Sequence, residues 1–330
     1  MLNRRDLGLL VVSAAFAATV ATSSAVAQSW PTRPISLVVP FAVGSGSDLL
    51  ARVLGPRLAE LLGQPVVVEN ISGAGGSTGS SRVVQSPPEG YHVLLGSVDT
   101  FAIYQSLYKK PPYNAAVDFS PIGLVTEQPM VLIARKDLPA SNFKEFAAYL
   151  KANHAKMQFG SGGLGSGSHL TCARVNAAVG AEATHVPYRG SGQAMQDLYA
   201  GRIDYYCSLA AAAAGPIQTG NVKAVAILTR ERSPLFSTIR TAHEDGLTDF
   251  DVNFWSGLAM SKGTPMPIIA KFNQAMVETL NTPSIQERLP KLGISIVPPD
   301  RRSSAHMKSF MESEIKFWQG VIAKSGVSLD

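Results

Sequence analysis

The chain has 330 residues, which suits one large domain or two domains of ordinary size. Apolar residues make up 45% of it and charged residues 16%, a balance that can bury a sizeable core and excludes a disordered chain. The formal charge of +5 is scattered without a basic run, which argues against a nucleic-acid-binding function.

The first 27 residues have the features of a secretory signal peptide. Arg4 and Arg5 form a basic start, residues 7–21 are apolar or small, and residues 25–27 form an Ala-Val-Ala cleavage site. We therefore predict export to the periplasm with cleavage after Ala27. The two arginines also match part of a twin-arginine signal, so the Sec and twin-arginine routes both stay open. No run of 18 apolar residues follows, which predicts that the mature chain does not span a membrane.

The first part of the mature chain is predicted to alternate between strands and helices, the pattern of an open α/β sheet. Pro56 lies inside the first predicted helix and should kink or interrupt it. The strands are expected at residues 35–41, 65–69 and 91–95, and the helices at residues 48–62 and from 77 to a point before Pro87.

The same alternation continues to the C-terminus. The last predicted helix carries an apolar stripe from Met307 to Ile322, which indicates core packing. In open α/β sheets, ligands bind at the carboxyl ends of strands. Further strands are expected at residues 130–135, 157–160, 184–187, 203–207, 222–228 and 252–259, and helices at 142–153, 169–179, 191–200, 267–280, 283–289 and 303–325.

Two glycine- and serine-rich loops, at residues 43–48 and 160–169, lead directly into predicted helices. The N–H groups at a helix N-terminus, together with the positive end of the helix dipole, form a ready anion site. Glycine lets the backbone approach a ligand closely, and serine adds hydroxyl donors. One such loop would be an ordinary turn, but two in matching contexts favour a shared site that clasps a carboxylate or dicarboxylate.

Motifs for catalysis, nucleotides and metals are weak or missing. The chain has no G-x-G-x-x-G, no Walker A sequence and no clustered metal-ligand spacing, so no cofactor and no metal is expected. Residues 75–79 fit the G-x-S-x-G elbow of serine hydrolases around Ser77, but no strand runs directly into that serine. An exported serine hydrolase that uses Ser77 is therefore kept as an alternative.

Cys172 and Cys207 are the only cysteines. An oxidising compartment permits a disulfide between them, but the sequence does not show whether their Cα atoms come within reach. A disulfide and a pair of buried thiols both stay open.

Short motifs along almost the whole mature chain, in order, carry a family resemblance. They are Trp30–Ile35, Val39–Ala42, Asp48, Leu62–Asn70, Gly73–Gly76, Pro88–Tyr91, Asp118–Ile122, Gly160-Ser161, Gly165–Leu170, His185–Gly190, Gly201–Asp204 and Gly263–Pro265. With these motifs the chain resembles the Bug-type (Bordetella uptake gene) extracytoplasmic solute receptors, which serve tripartite tricarboxylate transporters.

The resemblance implies a non-enzymatic receptor with the α/β, type II periplasmic-binding-protein fold, in which two α/β lobes are joined by hinge strands and the ligand cleft lies between them. Lobe 1 would comprise residues 28–127 and 229–330, and lobe 2 residues 128–228, with the hinge near 127 and 228. The expected ligand is a small carboxylate: a di- or tricarboxylate, an aromatic acid or an amino acid. A monomer is expected to deliver it to the membrane subunits of a transporter, or alternatively to a signalling protein.

The resemblance also implies which residues line the cleft. Tyr188 would offer a ring face and a hydroxyl, whereas Asp204 would orient other donors because it repels an anion. The expected ligand-binding residues are Phe41, Ala42, Ser45, Gly46, Ser47, Asp48, Ser97, Asp99, Thr100, Ser161, Gly162, Gly165, Ser166, Ser168, His169, Tyr188 and Asp204.

Three departures from the family pattern bear on the identity of the ligand. Asp99 stands where the family more often has a small neutral residue, so an acid there could meet an amine or a water. Tyr104-Gln105 replaces a usual Asn-Pro pair, and residues 208–214 form an alanine-rich run that could widen the pocket toward an aromatic acid.

Overall fold

Residues 30–325 are described by a computed structural model, and the predicted signal peptide lies outside them. A compact unit begins at Arg33 and contains the strands and helices of the fold. No helix among the described residues is long and apolar enough to cross a membrane.

The strands and helices follow one another in nearly regular alternation. The strands are β1 Ile35–Val39, β2 Val66–Asn70, β3 His92–Ser97, β4 Phe119–Arg135, β5 Gln158–Ser161, β6 Thr184–Pro187, β7 Tyr205–Leu209, β8 Val222–Ile227, β9 Asn253–Ser261 and β10 Ser295–Ile296. The α-helices are α1 Gly46–Leu62, α2 Ser77–Val84, α3 Tyr104–Leu107, α4 Ala115–Asp118, α5 Phe143–Asn153, α6 Gly167–Val179, α7 Ser191–Tyr199, α8 Ala210–Gln218, α9 Met266–Asn281, α10 Pro283–Lys291 and α11 Ser304–Ser325. A π-helix covers Asp99–Ile103.

One group of strands has the order β2-β1-β3-β9-β4. Strand β1 is parallel to both β2 and β3, whereas β9 is antiparallel to β3 and to the first part of β4. Buried aliphatic side chains such as Leu37 and Leu94 fill its core. Because the parallel strands each lead into a loop and then a helix, their carboxyl ends bring these loops to one edge of the sheet.

The second group shares β4 with the first. From Met130 to Arg135, β4 pairs antiparallel with β7 and β8, while β5 is parallel to both β7 and β6. Strand β4 therefore changes partners between Pro129, which faces β9, and Met130, which faces β7. A single strand thus belongs to both groups.

The length of β4 differs from the prediction, which gave only residues 130–135 as a strand. The added part contains Pro121 and Pro129, and its pairing with β9 shifts register between Pro121 and Gly123 and again between Leu124 and Thr126. Proline cannot donate a ladder hydrogen bond and is tolerated at such irregularities. The long pairing with β9 therefore outweighs a local sequence that does not favour a strand.

Pro56 does not interrupt α1, so of the kink or interruption predicted there the interruption does not occur. The helix runs through it to Leu62 and ends at Gly63, which has the left-handed conformation of a C-cap. A proline inside a helix costs about 3 kcal/mol or more. The buried face formed by Leu50, Leu54 and Leu58 packs against the core and offsets that cost.

The C-terminal helix α11 packs as predicted. Met307, Met311, Trp318 and Ile322 are buried, and Phe310 packs against the core from a partly buried position. The 3.6-residue period of this apolar stripe identified its inner face.

A disulfide joins Cys172 on α6 to Cys207 on β7, with a Cα–Cα distance of 5.6 Å. Both residues are fully buried. Of the two alternatives that the sequence left open, a disulfide and a pair of buried thiols, the structure contains the disulfide. It links α6 covalently to β7.

Candidate functional site

Two helices begin with the same pattern, Gly-Ser-Gly-Ser followed by a polar residue. The first is Gly44 to Asp48 at the start of α1, and the second is Gly165 to His169 at the start of α6. In both, the first glycine has a positive φ, 82° and 77°, that other residues rarely adopt. The sequence therefore sets up the same turn before each helix.

The same two hydrogen bonds close both turns. The first serine caps its helix: Ser45 Oγ accepts from the Asp48 amide at 3.2 Å, and Ser166 Oγ accepts from the His169 amide at 3.4 Å. The fifth residue then accepts from the first glycine. The amide of Gly44 donates to Asp48 Oδ2 at 3.0 Å, and the amide of Gly165 donates to His169 Nδ1 at 3.1 Å.

The turn before α1 is held by charge. Arg52 donates from Nε to Asp48 Oδ2 at 3.1 Å, and its Nη2 lies 3.0 Å from Asp48 Oδ1. Asn70 accepts from the same guanidinium and donates to the carbonyl of Phe41. Burial alone would raise the pKa of Asp48, but the hydrogen bonds from Arg52, Gly44 and Asn70 outweigh it and lower the pKa. Asp48 is therefore an ionised anchor.

The turn before α6 is held by neutral groups. The ring of His169 stacks on that of His185, with centroids 3.8 Å apart, and His185 Nε2 lies 2.7 Å from Ser161 Oγ. Burial lowers the pKa of His169 to about 4 and that of His185 to about 3, where the neighbouring His169 adds to the effect. Because the Gly165 amide donates to Nδ1, the proton of neutral His169 is on Nε2.

The serines of the second turn form a small network. Ser166 Oγ donates to the carbonyl of Gly163 at 2.7 Å and lies 2.9 Å from Ser168 Oγ. Ser168 Oγ in turn accepts from the amide of Gly162 at 2.9 Å. These bonds fix the orientation of the Ser166 and Ser168 hydroxyls at the N-terminus of α6.

The two helix N-termini meet at one cavity. The cavity has a volume of about 50 Å³, which is room for roughly four waters or a small molecule. A Cβ atom added to Gly46 would lie only 2.9 Å from Leu209 Cδ1, so glycine allows this close approach. The lining residues are Phe41, Ser45, Gly46, Ser47, Asp99, Met130, Gly162, Ser166, Ser168, Ser191, Tyr206, Cys207, Ser208, Leu209, Ala212 and Phe254.

Eight of the residues that the sequence predicts as ligand-binding line this cavity. They are Phe41, Ser45, Gly46, Ser47, Asp99, Gly162, Ser166 and Ser168. Because Gly46 and Ser47 belong to the first turn of α1, their amides have no partner within the helix. The cavity therefore offers backbone donors as well as hydroxyls.

Most of the other predicted residues hold the loops instead of lining the cavity. Asp48, Gly165 and His169 close the two turns, as described above. Ser161 Oγ donates to the carbonyl of Gly163 at 3.0 Å. Thr100 Oγ1 accepts from the Ser97 amide at 3.0 Å and so shapes the turn around Asp99. Ala42 packs closely against Gly190: a Cβ atom added to Gly190 would lie only 2.9 Å from the Cβ atom of Ala42.

Tyr188 and Asp204 are placed elsewhere. Tyr188 lines a neighbouring groove and donates its hydroxyl proton to Asp197 Oδ2 at 2.7 Å. Asp204 accepts from Arg135 Nε at 2.9 Å and from the amide of Gln158 at 2.7 Å. Gln158 begins β5, whereas the cavity loop follows the other end of that strand, so Asp204 lies at the wrong end of the sheet to serve the cavity.

Half of the lining residues are not among those that the sequence predicts as ligand-binding. Ser191 follows Gly190 at the start of α7, which is the same local signal that revealed the other two loops. Ser208 and Ala212 belong to the alanine-rich run that was noted for its effect on pocket width. Met130, Tyr206, Cys207, Leu209 and Phe254 reach the cavity from strands, or from the residue at a strand end, through long-range pairing, and no local pattern marks them.

Asp99 is the one acid among the described residues that line the cavity. Its side chain is buried, with 3% of the residue exposed, and its Oδ1 atom has no hydrogen-bond partner among the described residues. Burial raises the pKa of Asp99 to about 7, and the adjacent amide of Gly167 lowers it only in part. No lysine, arginine or histidine is among the lining residues of the described chain.

The site has little in common with a hydrolase or a metal centre. Ser77 is buried at the start of α2 and shares a hydrogen bond with Tyr104. Within residues 30–325, no group of three His, Cys, Asp or Glu side chains is placed to hold a metal ion.

Comparison with known proteins agrees with this geometry. Residues 50–327 match the model of the TctC family, described as the tripartite tricarboxylate transporter family receptor. The chain is 34% identical to BugT of Bordetella pertussis, over 98% of this chain and 97% of that protein.

Two solved structures resemble it closely. The periplasmic binding protein BugD is 36% identical with a TM-score of 0.87, over 91% of this chain and 99% of that one. MatC from Rhodopseudomonas palustris with bound malate is 35% identical with a TM-score of 0.86, over 89% and 100%. These likenesses confirm the predicted α/β periplasmic-binding-protein fold.

Proposed function

The chain belongs to the family of tripartite tricarboxylate transporter receptors and is a solute-binding protein, and from that premise we propose that it captures a small carboxylate in its cavity. The observation that carries this proposal is the meeting of two serine-capped helix N-termini, those of α1 and α6, at one cavity. Amides and hydroxyls there can solvate a carboxylate without a cationic side chain. The malate bound to MatC supports the same chemistry.

We assign the two lobes to residues 28–127 with 229–330 and to residues 128–228. The exchange of partners by β4 between Pro129 and Met130 supports a crossing there. Beyond β8, the amide of Leu228 donates to the carbonyl of Met130, which supports a second crossing beside the first. A ligand that contacts both α1 and α6 would favour the closed arrangement of the lobes, because its affinity for that state is higher.

The receptor acts without catalysis and as a monomer in this proposal. It reaches the periplasm by means of the cleaved signal peptide and presents its ligand to membrane subunits of a tripartite transporter. A signalling protein as the partner is the second candidate, since the ligand site would be the same.

The first test is a thermal-shift screen of the protein that starts at Gln28 against di-, tri- and aromatic carboxylates and amino acids. A ligand that binds only the folded state raises the unfolding midpoint by mass action, by roughly 2.7 kcal/mol in stability at 100 times its Kd. Ser47→Ala and Ser168→Ala should weaken the shift, whereas Ser309→Ala, an exposed serine of α11, serves as the matched control.

A shift with one class of acids that the two site variants reduce and the control does not would support the proposal. If no acid shifts the midpoint and mass spectrometry finds no small acid released from the unfolded protein, the carboxylate proposal is wrong. Ser77→Ala should leave the shift unchanged, and turnover that depends on Ser77 would point to the hydrolase instead.

A further inference from the structure

Asp99 is the only charged side chain in the cavity wall of the described chain, and nothing in that wall neutralises it. The residue is 3% exposed and its Oδ1 atom lacks a hydrogen-bond partner among residues 30–325. A buried carboxylate whose one partner is the Gly167 amide is costly, because desolvation disfavours its charge and no cation compensates. Such a group in a binding cavity indicates that the partner comes with the ligand.

The surroundings of Asp99 are aromatic. A Cβ atom added to Gly167 would lie 2.5 Å from Asp99 Oδ1 and 3.1 Å from Phe254 Cε2, so the carboxyl and this ring flank the same residue. Phe41 and Tyr206 line the same cavity. A carboxylate beside aromatic rings is a favourable environment for an ammonium group, which is attracted both by the charge and by the ring faces.

A plain dicarboxylate would fit this wall poorly. Its negative charge would lie close to Asp99 in a cavity without lysine, arginine or histidine, and like charges at short range repel strongly where water is excluded. Binding such an anion would require Asp99 to take up a proton. An ammonium group would instead remove the unpaired charge.

We propose that the ligand is a zwitterion, a small amino acid whose ammonium group pairs with Asp99 while its carboxylate binds at the N-terminus of α1. This rests on the proposed function and narrows the class of acid. The carboxylate is assigned to α1 because Gly46 and Ser47 of its first turn line the cavity, whereas the Gly167 amide of α6 is already beside Asp99. The small volume of the cavity limits the side chain that accompanies the two charged groups.

The test compares acids that differ in one group: aspartate, malate and succinate, and in a second series alanine, lactate and propionate. Titration calorimetry at pH 8 measures each Kd with the protein that starts at Gln28. We expect the amino acid of the preferred series to bind at least about tenfold more tightly than its hydroxy or unsubstituted analogue, a difference of about 1.4 kcal/mol. Equal or tighter binding of malate, lactate or their unsubstituted analogues overturns the inference.

Asp99→Asn is the matched variant, since it keeps the shape and removes the charge. It should weaken binding of the amino acid by at least about tenfold and strengthen binding of the unsubstituted acid, so that the preference inverts. Ser47→Ala should weaken both members of a pair. A preference that survives in Asp99→Asn overturns the role of Asp99, and the wild-type series decides the ligand class even if the variant does not fold.

The two proposals fail in different ways. If all members of a series bind without preference for the amino acid, the carboxylate proposal stands and the zwitterion is wrong. If no member of either series and no other carboxylate binds, both are wrong.

Discussion

The helices α1 and α6 begin with the same four residues and the same two hydrogen bonds, yet one turn is closed by an ion pair and the other by a stack of neutral rings. Asp48 is ionised and bound by Arg52, whose side chain is 52% exposed, whereas His169 is itself buried and stays neutral. The glycine, the serine cap and the hydrogen bond to the fifth residue give the amides the same geometry in both turns. The identity of the fifth residue sets the electrostatics around them.

The difference in electrostatics between the two helix starts also affects the acids nearest to them, Asp48 at α1 and Asp99 at α6. Asp48 accepts hydrogen bonds from Arg52 and Gly44, so its charge stabilises the folded protein. Asp99, beside the start of α6, has the Gly167 amide but no cation, so its charge destabilises the fold when no ligand is bound. The same substitution at these two positions should therefore have opposite effects.

The largest effect is expected for Asp99→Asn at pH 8. The pKa of Asp99 rises from its ordinary value of 3.8 to about 7, so its stabilising contribution is complete below pH 3.8 and is lost as the pH rises through 7. At pH 8 the variant should be more stable than the wild type by roughly 2–4 kcal/mol, since one pKa unit is worth about 1.4 kcal/mol. Urea denaturation without ligand measures this.

The gain should shrink toward zero at pH 4. Tyr113 and Tyr206 also face Asp99, but burial raises the pKa of both tyrosines, so neither titrates in this range. A variant that is less stable than the wild type at pH 8 would show that the Asp99 charge already has a partner in the protein.

The histidine stack is expected to give the next effect. Burial lowers the pKa of His185 from 6.5 to about 3, so its stabilising contribution is present above pH 6.5 and is lost as the pH falls. His185→Phe keeps a ring against His169 and removes this titration. Between pH 7.5 and pH 5 the variant should lose roughly 1–2 kcal/mol less stability than the wild type, because solvent screening of the partly exposed ring reduces the full effect. Parallel pH profiles would contradict the assignment of a partly buried, neutral His185.

Asp48→Asn tests the turn before α1. The side chain keeps its shape but loses the charge that pairs with Arg52, so we expect a destabilisation of about 1–2 kcal/mol at pH 7. The pKa of Asp48 is lowered, so the loss should diminish as the pH falls below about 4, its ordinary range. Glu287→Gln is the control, because both Glu287 and its partner Lys291 are exposed, and it should leave the stability nearly unchanged.

Most of the fold was predictable because its signals are local. Glycine and proline mark the ends of elements, and the apolar period of α11 identified its buried face. The first part of β4 was not, because Pro121 and Pro129 break the local strand pattern and only the pairing with β9 makes it a strand. Long-range pairing of this kind leaves no mark within a short window of sequence.

The site divides in the same way. The residues of the two helix starts, such as Ser45 and Ser166, were predicted because a glycine–serine loop before a helix is visible in the sequence. Met130, Tyr206 and Phe254 were missed because each lies on a strand whose inward face is decided by register with distant strands. Asp99 was noted as unusual, but its burial without a cationic partner among the described residues is visible only in the structure.

The smallest expected effects come from the two serine caps, and they test the comparison most directly. Removing an N-cap hydroxyl costs about 1 kcal/mol, so Ser45→Ala and Ser166→Ala should both destabilise the protein by roughly that amount. Ser166 also donates to the Gly163 carbonyl and contacts Ser168 Oγ, whereas Ser45 forms no such network with the residues that the structure describes. Ser166→Ala should therefore cost more, measured by urea denaturation of both variants at pH 7. Equal losses would mean that the caps alone fix both turns and that the serine network around α6 contributes no stability of its own.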